Sequence, residues 1–225
     1  MNVILFGPPG SGKGTQANKI VKVFNLHKFS AGDLLREEIK NQTDIGKKIK
    51  DTIDKGQFVS DEIMNDLIIK TLTNDKINSR LIFDGYPRNL NQAKNLNTLI
   101  KKYGQKISFV FSLNVEKKIL IKRLLGREIC SNCNLIFNKY YNQSNATNHA
   151  CDPKFLVKRS DDNENTIASR FETYSKKTLP ILSFYREQKL LHDINGKNEI
   201  EKIFEEIRAI MAPLQAWLCK LYLYK

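Results

Sequence analysis

At 225 residues and 41% hydrophobic content, the chain is long enough to bury one sizeable core with room for a smaller inserted unit. No apolar run approaches the roughly 20 residues that cross a bilayer, and no leader is expected ahead of a strand that begins at residue 3, so neither a membrane span nor a disulfide-stapled secreted domain is expected. The net charge of +13 points to anionic partners, nucleotide, nucleic acid or acidic membrane, and the four cysteines read as thiols or metal ligands of a cytoplasmic protein.

The apolar run Val3-Ile4-Leu5-Phe6 stops at Gly7, as a strand buried on both faces does. Gly7, four residues, then Gly12-Lys13 fits a phosphate-binding loop, and Gln16 to Phe24 reads as the helix behind it. In such a loop Gly10, Ser11, Gly12, Lys13, Gly14 and Thr15 present backbone N–H groups, a helix N-terminus and an ammonium to phosphate oxygens. Here Gly14 follows Lys13, so the hydroxyl of Thr15 comes one place later than the general pattern.

Leu26 to Phe29 is a short strand ending at Ser30-Ala31-Gly32-Asp33. Helices are expected from Leu34 through Ile39, over Lys47 to Asp54, and from a Ser60-Asp61-Glu62 cap to Leu72. Leu81-Ile82-Phe83 is a second apolar strand. It ends at Asp84, placed to hold the water shell of Mg²⁺ beside nucleotide phosphates, and at the loop Gly85-Tyr86-Pro87-Arg88. Asn89 to Lys102 is helical by spacing, Phe109 to Leu113 a strand, and Glu116 to Leu125 a helix. Residues 128–158 lack a helical period and read as a β-rich insert. Helices follow over Asn163 to Tyr174 and Pro180 to Gln188, then a strand over Leu190 to Ile194 and a helix over Ile200 to Met211, ended by Pro213. Beyond it Leu214, Trp217, Leu218 and Leu221 keep helical spacing, and Cys219 has no assigned role. Strands alternating with helices predict an α/β, doubly wound, parallel five-stranded sheet of the P-loop NTPase type.

Arginine usage sharpens the charge argument, since lysines outnumber arginines 28 to 9. Arg36, Arg88, Arg123, Arg127, Arg159 and Arg170 stand where a two-pronged phosphate grip makes sense, whereas Arg80, Arg186 and Arg208 read as surface charges. Arg123 and Arg127, four apart, are expected on one helix face, where only a phosphate would relieve their repulsion. In the insert, Cys130-Ser131-Asn132-Cys133 is a metal knuckle and Cys151 a third candidate zinc ligand. Lys154 is a poor fourth, which leaves His149 or Asp152; without zinc, a polar network around Asn132, Asn134 and Asp152 would have to replace it.

Together GPPGSGKGT, SAGDLLR, GQFV, FDGYPRN with Gln92, and RSDDN with Arg170 resemble the adenylate kinases, over residues 1 to about 211. The resemblance implies reversible transfer of a phosphoryl group from Mg·ATP to AMP, giving two ADP, by a monomer. It divides the chain into a core (1–29, 61–127, 159–211), an AMP-binding segment (30–60), a long lid (128–158) and an extra tail (212–225). It implies that Gly10 to Thr15, Arg127, Phe137 over the adenine and backbone near Asn198 hold ATP. Ala31, Arg36, Gln57, Phe58, Val59, Gly85, Tyr86, Pro87, Arg88 and Gln92 would hold AMP, with Ala31 standing where the family commonly has a hydroxyl. Lys13, Asp84, Arg88, Arg123, Arg127, Arg159 and Arg170 would surround the phosphates in transit. A kinase of UMP or CMP is the alternative within the class, and a nucleic-acid-binding protein on a nucleotide fold the alternative outside it. The second leaves Asp84, Arg88, Arg127 and Arg170 without a purpose.

Overall fold

The computed structural model describes residues 1–74 and 80–223, with side chains as far as Pro213. Strand β1 (Asn2–Phe6) is buried along its whole length because both faces are covered. Ile4 and Phe6 join Phe29, Leu81, Phe83 and Val110 in one apolar layer. Val3 and Leu5 join Ile82, Phe111 and Leu113 in the other. That even–odd division is the period of two of a strand packed on both sides. Each fully buried ring in these layers stabilises the fold by about 2 kcal/mol.

After β1 come α1 (Lys13–Phe24), β2 (His27–Ser30), α2 (Ala31–Lys40), α3 (Asp44–Asp54), α4 (Asp61–Leu72), β3 (Leu81–Asp84), α5 (Leu90–Lys102), β4 (Ile107–Asn114) and α6 (Lys117–Leu125). A small antiparallel unit of β5 (Arg127–Cys130), β6 (Ile136–Asn138) and β7 (Leu156–Val157) follows. The chain then returns through α7 (Glu164–Thr173), a π-helical stretch (Tyr174–Thr178), α8 (Leu179–Glu187), β8 (Leu191–Asn195) and α9 (Ile200–Leu223). The main sheet has the order β2-β3-β1-β4-β8, all parallel. Helices α1 and α9 cover one face; α2, α4, α5 and α8 cover the other. The expected doubly wound five-stranded fold is the fold found. Gly7, Ala31 and Gly85 follow the carboxyl ends of β1, β2 and β3 along one rim, where such sheets bind ligands.

Several boundaries differ from the sequence expectation for identifiable reasons. Helix α2 begins at Ala31, not Leu34, because the Ser30 hydroxyl accepts from the Asp33 N–H (3.3 Å) and starts the helix three residues earlier. Helix α3 begins at Asp44, not Lys47, because Thr43 caps it through the Gly46 N–H (3.0 Å). These two helices pack closely at Gly46, where a Cβ would stand 2.1 Å from the Glu38 carbonyl oxygen. The segments expected as separate helices around 174 and 180 run on through the π-helical turn, with Pro180 taken into the first turn of α8, where its missing N–H is unneeded. Pro213 lies inside α9 and does not end it. Its fixed φ is helical, but it has no N–H to donate and its ring crowds the carbonyl four residues before it. The side-chain pattern expected at Leu214, Trp217, Leu218 and Leu221, and Cys219, lie outside the described side chains.

Candidate active site

The loop after β1 is built by its glycines. Gly7, Gly10 and Gly12 all take positive φ (151°, 81° and 95°), and a Cβ on Gly10 would sit 2.9 Å from Leu124 Cγ and 3.0 Å from the Leu120 carbonyl oxygen. Gly12 precedes α1 without a side-chain cap, which leaves the first-turn N–H groups of that helix facing the cleft. Lys13 folds back over the loop, donating to the carbonyls of Gly7 (2.6 Å) and Pro8 (3.0 Å). Burial, together with Arg170, Arg88 and Arg127 nearby, lowers its pKa to about 8 against the opposing pull of Asp84. A phosphate in the loop restores the balance by adding negative charge beside the ammonium.

Asp84 closes β3, and its Oδ2 lies 3.5 Å from where a Cβ on Gly14 would be, beside the first turn of α1. A hard carboxylate next to a phosphate loop and the Thr15 side of α1 is a donor set that suits Mg²⁺. Lys28, on β2, reaches the same corner: its Nζ lies 3.7 Å from Asp84 Oδ2 and 3.5 Å from Asp33 Oδ2. Burial alone would raise the Asp33 carboxyl, but charge and hydrogen bonding from Arg36, with help from Ser30 and Lys28, bring it down to about 2.

Across the cleft, Arg88 donates through Nε to the Gly85 carbonyl (2.7 Å), and the ring of Phe58 lies 4.9 Å from its guanidinium carbon. Burial, then Arg170 and Arg36, lower its pKa to about 10, so it stays charged at neutral pH. The amide of Gln92 is spent on the loop itself: it accepts from the Arg88 N–H (2.8 Å) and donates to Asp61 Oδ1 (2.7 Å). Tyr86, expected at the AMP site, turns its ring into the core against Phe29 (5.9 Å) and does not line the cavity, whereas Gly85, Pro87 and Arg88 do. Gly32, Arg36, Gln57, Val59 and Arg88 border a smaller hollow beside Leu35 and Ile53.

All six of the arginines singled out by sequence line one cavity of about 310 Å³, together with Lys13, Phe58, Asp84, Phe137 and Asn198. The other three lie elsewhere: Arg80 donates to the Phe24 carbonyl, while Arg186 and Arg208 pair with Asp193 and Glu205 at the surface. Arg127 binds Asp162 bidentately, Nε to Oδ2 at 2.7 Å and a shorter Nη2–Oδ1 contact. Arg170 holds Asp161 at 3.0 Å and Asp162 at 3.4 Å. Arg159 approaches Asp33 at 4.0 Å, its Nε is buried without a hydrogen-bond partner among the described residues, and burial with Arg127 and Arg36 lowers it to about 9. Arg123 donates to the Gly196 carbonyl (3.0 Å). The expectation that Arg123 and Arg127 share a helix face is wrong. Helix α6 stops at Leu125 with Gly126 after it, and Arg127 opens β5 opposite Asn138.

In the small β unit, Cys130, Cys133, His149 and Cys151 bring their ligand atoms within 4.8 Å of one another. His149 shares a hydrogen bond at Nδ1 with Ser144 Oγ (2.8 Å), which leaves its buried Nε2 for the thiols among the described residues. Burial disfavours the Cys130 thiolate, but hydrogen bonds from Cys133, His149 and Asn132 outweigh it and lower the thiol to about 6. Asp152 is occupied otherwise, accepting from the Lys154 N–H (2.9 Å) and pairing with the Lys154 ammonium (3.2 Å). The Phe137 ring is 3% exposed and packs 4.6 Å from the His149 ring. Tyr141, passed over in sequence, is 51% exposed, borders the cavity and lies 5.5 Å from the Arg123 guanidinium. Lys28 was also passed over. Its signal, a charged residue in a short strand beside Phe29, is faint against so many lysines.

The family model described as Adenylate kinase matches residues 5–190. The chain is similar to an adenylate kinase of Pelagibacter ubique (strain HTCC1062), 46% identical over 211 residues that span 94% of this chain and 99% of that protein. It is 38% identical to one of Enterococcus faecalis (strain ATCC 700802 / V583) over 213 residues, covering 94% and 99%. With one of Geobacillus sp. (strain WCH70) the identity is 39% over 217 residues, covering 96% and 100%. A family model over most of the chain, and relatives matched along nearly their full length, show that the chain belongs to the adenylate kinase family.

Proposed function

We propose that this chain transfers the γ-phosphoryl group of Mg·ATP reversibly to AMP, giving two ADP and balancing the adenine nucleotides. The observation that carries the reading beyond family membership is the convergence of six arginines and Lys13 on one cavity bordered by the phosphate loop and the α2–α3 segment. The reaction needs no nucleophilic side chain, only alignment of donor and acceptor and charge around the phosphoryl oxygens. Lys13, the loop N–H groups from Gly10 to Thr15, Arg123 and Arg127 hold the ATP phosphates. Arg36, Arg88, Gly85 and the backbone at Gln57 to Val59 hold AMP, while Arg159 and Arg170 sit between the two. Tyr141, more open than Phe137, offers the aromatic face to the adenine. Asp84 holds the hydrated Mg²⁺, which when bound neutralises phosphate charge.

In this reading residues 30–60 and 128–158 are the segments that close over AMP and ATP to keep water from the phosphoryl group, and 1–29, 61–127 and 159–211 are the frame. The enzyme acts as a cytoplasmic monomer without nucleic acid. Among the described residues no helix is long and apolar enough to cross a membrane. Formation of ADP measured with AMP, UMP, CMP and GMP under the same Mg·ATP tests the acceptor: AMP should be fastest, and a faster pyrimidine acceptor would replace this reading with a UMP/CMP kinase.

The thiol cluster suits structural zinc. Three sulfurs and an imidazole make the four-donor set that structural zinc takes, the His149 Nε2 has no other partner among the described residues, and Ser144 orients the ring from behind as outer-shell groups do. A unit of about 30 residues has too little core to hold one shape by burial, so the metal would supply the missing stability. His149 is the fourth ligand in this reading, with Asp152 kept by Lys154. Elemental analysis of protein purified without added metal should find about one zinc per chain. Cys130→Ser should lose it and melt at lower temperature, and a metal-free chain whose melting ignores chelator would remove zinc from the lid.

A further inference from the structure

The magnesium corner of the cleft contains a cation of the protein's own. Lys28 projects from β2 so that its ammonium meets oxygens from three other elements: Asn18 on α1 (3.1 Å, a hydrogen bond), Asp33 on α2 (3.5 Å) and Asp84 at the end of β3 (3.7 Å). Its side chain is only 21% exposed and borders the same cavity as Lys13 and Arg88. A solvated surface lysine would spread its ammonium into water. This one is held within 4 Å of two carboxylates that border the same cavity as the phosphate loop. One of those carboxylates, Asp84, lies against the first turn of α1.

We infer that Lys28 tunes the divalent ion: its ammonium shares Asp33 and Asp84 with the metal that accompanies ATP, and so weakens the hold of the bound nucleotide complex on that metal. The inference rests on the Mg·ATP reading above. Its physical basis is charge. Arg36 already offsets part of the charge of this carboxylate pair through Asp33 (2.5 Å), and the Lys28 ammonium offsets one further unit, which a neutral side chain at 28 would return to the divalent ion. A unit charge about 6 Å from a divalent ion, in largely aqueous surroundings, changes that ion's affinity by about tenfold. Asn18 keeps the ammonium in place, so it remains beside the carboxylates and does not follow solvent. Lys28 is thus a positioning residue that acts on the metal through the carboxylates, and it touches no reacting atom.

Binding of Mn²⁺ to the complex of the enzyme with a non-hydrolysable ATP analogue, followed by the loss of the free-ion electron paramagnetic resonance signal, reads this directly and without turnover. Lys28→Gln should bind Mn²⁺ about tenfold more tightly than the unaltered enzyme, Lys28→Met should do the same, and Lys28→Arg, which keeps the charge, should match the unaltered enzyme. Mn²⁺ affinity unchanged or weakened in both neutral variants would overturn the inference, and so would tightening in Lys28→Arg as well, because the charge would then not be the cause. Having two neutral variants keeps the test decisive should one fail to fold. Failure of the unaltered enzyme to bind the Mn²⁺–nucleotide complex at all would instead overturn the Mg·ATP reading beneath it.

Discussion

Replacing Arg88 by alanine should lower turnover by about 10²-fold or more while leaving the fold intact. The size follows from removing one preorganised charge from a site where negative charge develops on the phosphoryl oxygens. Its preorganisation is visible: Nε is fixed on the Gly85 carbonyl, and Phe58 lies under the guanidinium. Burial lowers Arg88 to about 10, still well above neutral pH, so charge is retained through the working range. The fold is spared because the contacts that secure this loop use the backbone of Arg88. Gln92 accepts from its N–H, and Thr178 donates to its carbonyl (2.9 Å), both of which alanine keeps. Lysine at 88 should recover only part of the loss, since a point charge cannot reproduce the fork. Steady-state kinetics with an unchanged circular dichroism spectrum would support this, and near wild-type turnover would take Arg88 out of the mechanism.

Asp162→Ala should act on stability as well as rate. The Asp162 side chain is 2% exposed and accepts two bonds from Arg127 and a longer contact from Arg170. Removing it leaves Arg127 without a carboxylate in a region only 14% open to solvent, while Arg170 keeps Asp161. Stranding a buried charge costs about 3 kcal/mol, which for a chain of this size lowers the melting temperature by roughly 6–12 °C. Arg127 would also lose the orientation that the bidentate pair gives it at the start of β5, so turnover should fall with stability. An unaltered melting temperature would show that water already carries the Arg127 charge.

The sheet was legible because its strands are fully buried. Runs such as Val3 to Phe6 and Leu81 to Phe83 have no polar alternation to confuse them with helix faces, and each stops at Gly7 or Asp84 on the ligand rim. Helix starts were less so, because Ser30 and Thr43 cap from positions where the apolar period has not yet begun. The set of arginines in the cleft could be read because arginine is scarce here and lysine abundant, and the same abundance hid Lys28. The fourth candidate zinc ligand could not be chosen from spacing, since His149 and Asp152 are both near neighbours of Cys151. The fold groups His149 with the three cysteines and turns Asp152 to the Lys154 N–H, an arrangement that spacing does not show. Nor could spacing show that Gly126 separates Arg123 from Arg127; that depends on where α6 stops.

The most direct measurement gives the enzyme ADP and Mg²⁺ alone and follows all three adenine nucleotides by phosphorus magnetic resonance. Phosphoryl transfer between two nucleotides in one cleft predicts ATP and AMP appearing in equal amounts from the first turnovers, with no inorganic phosphate. Release of phosphate without ATP, or no reaction with ADP while ATP is slowly hydrolysed, would contradict it.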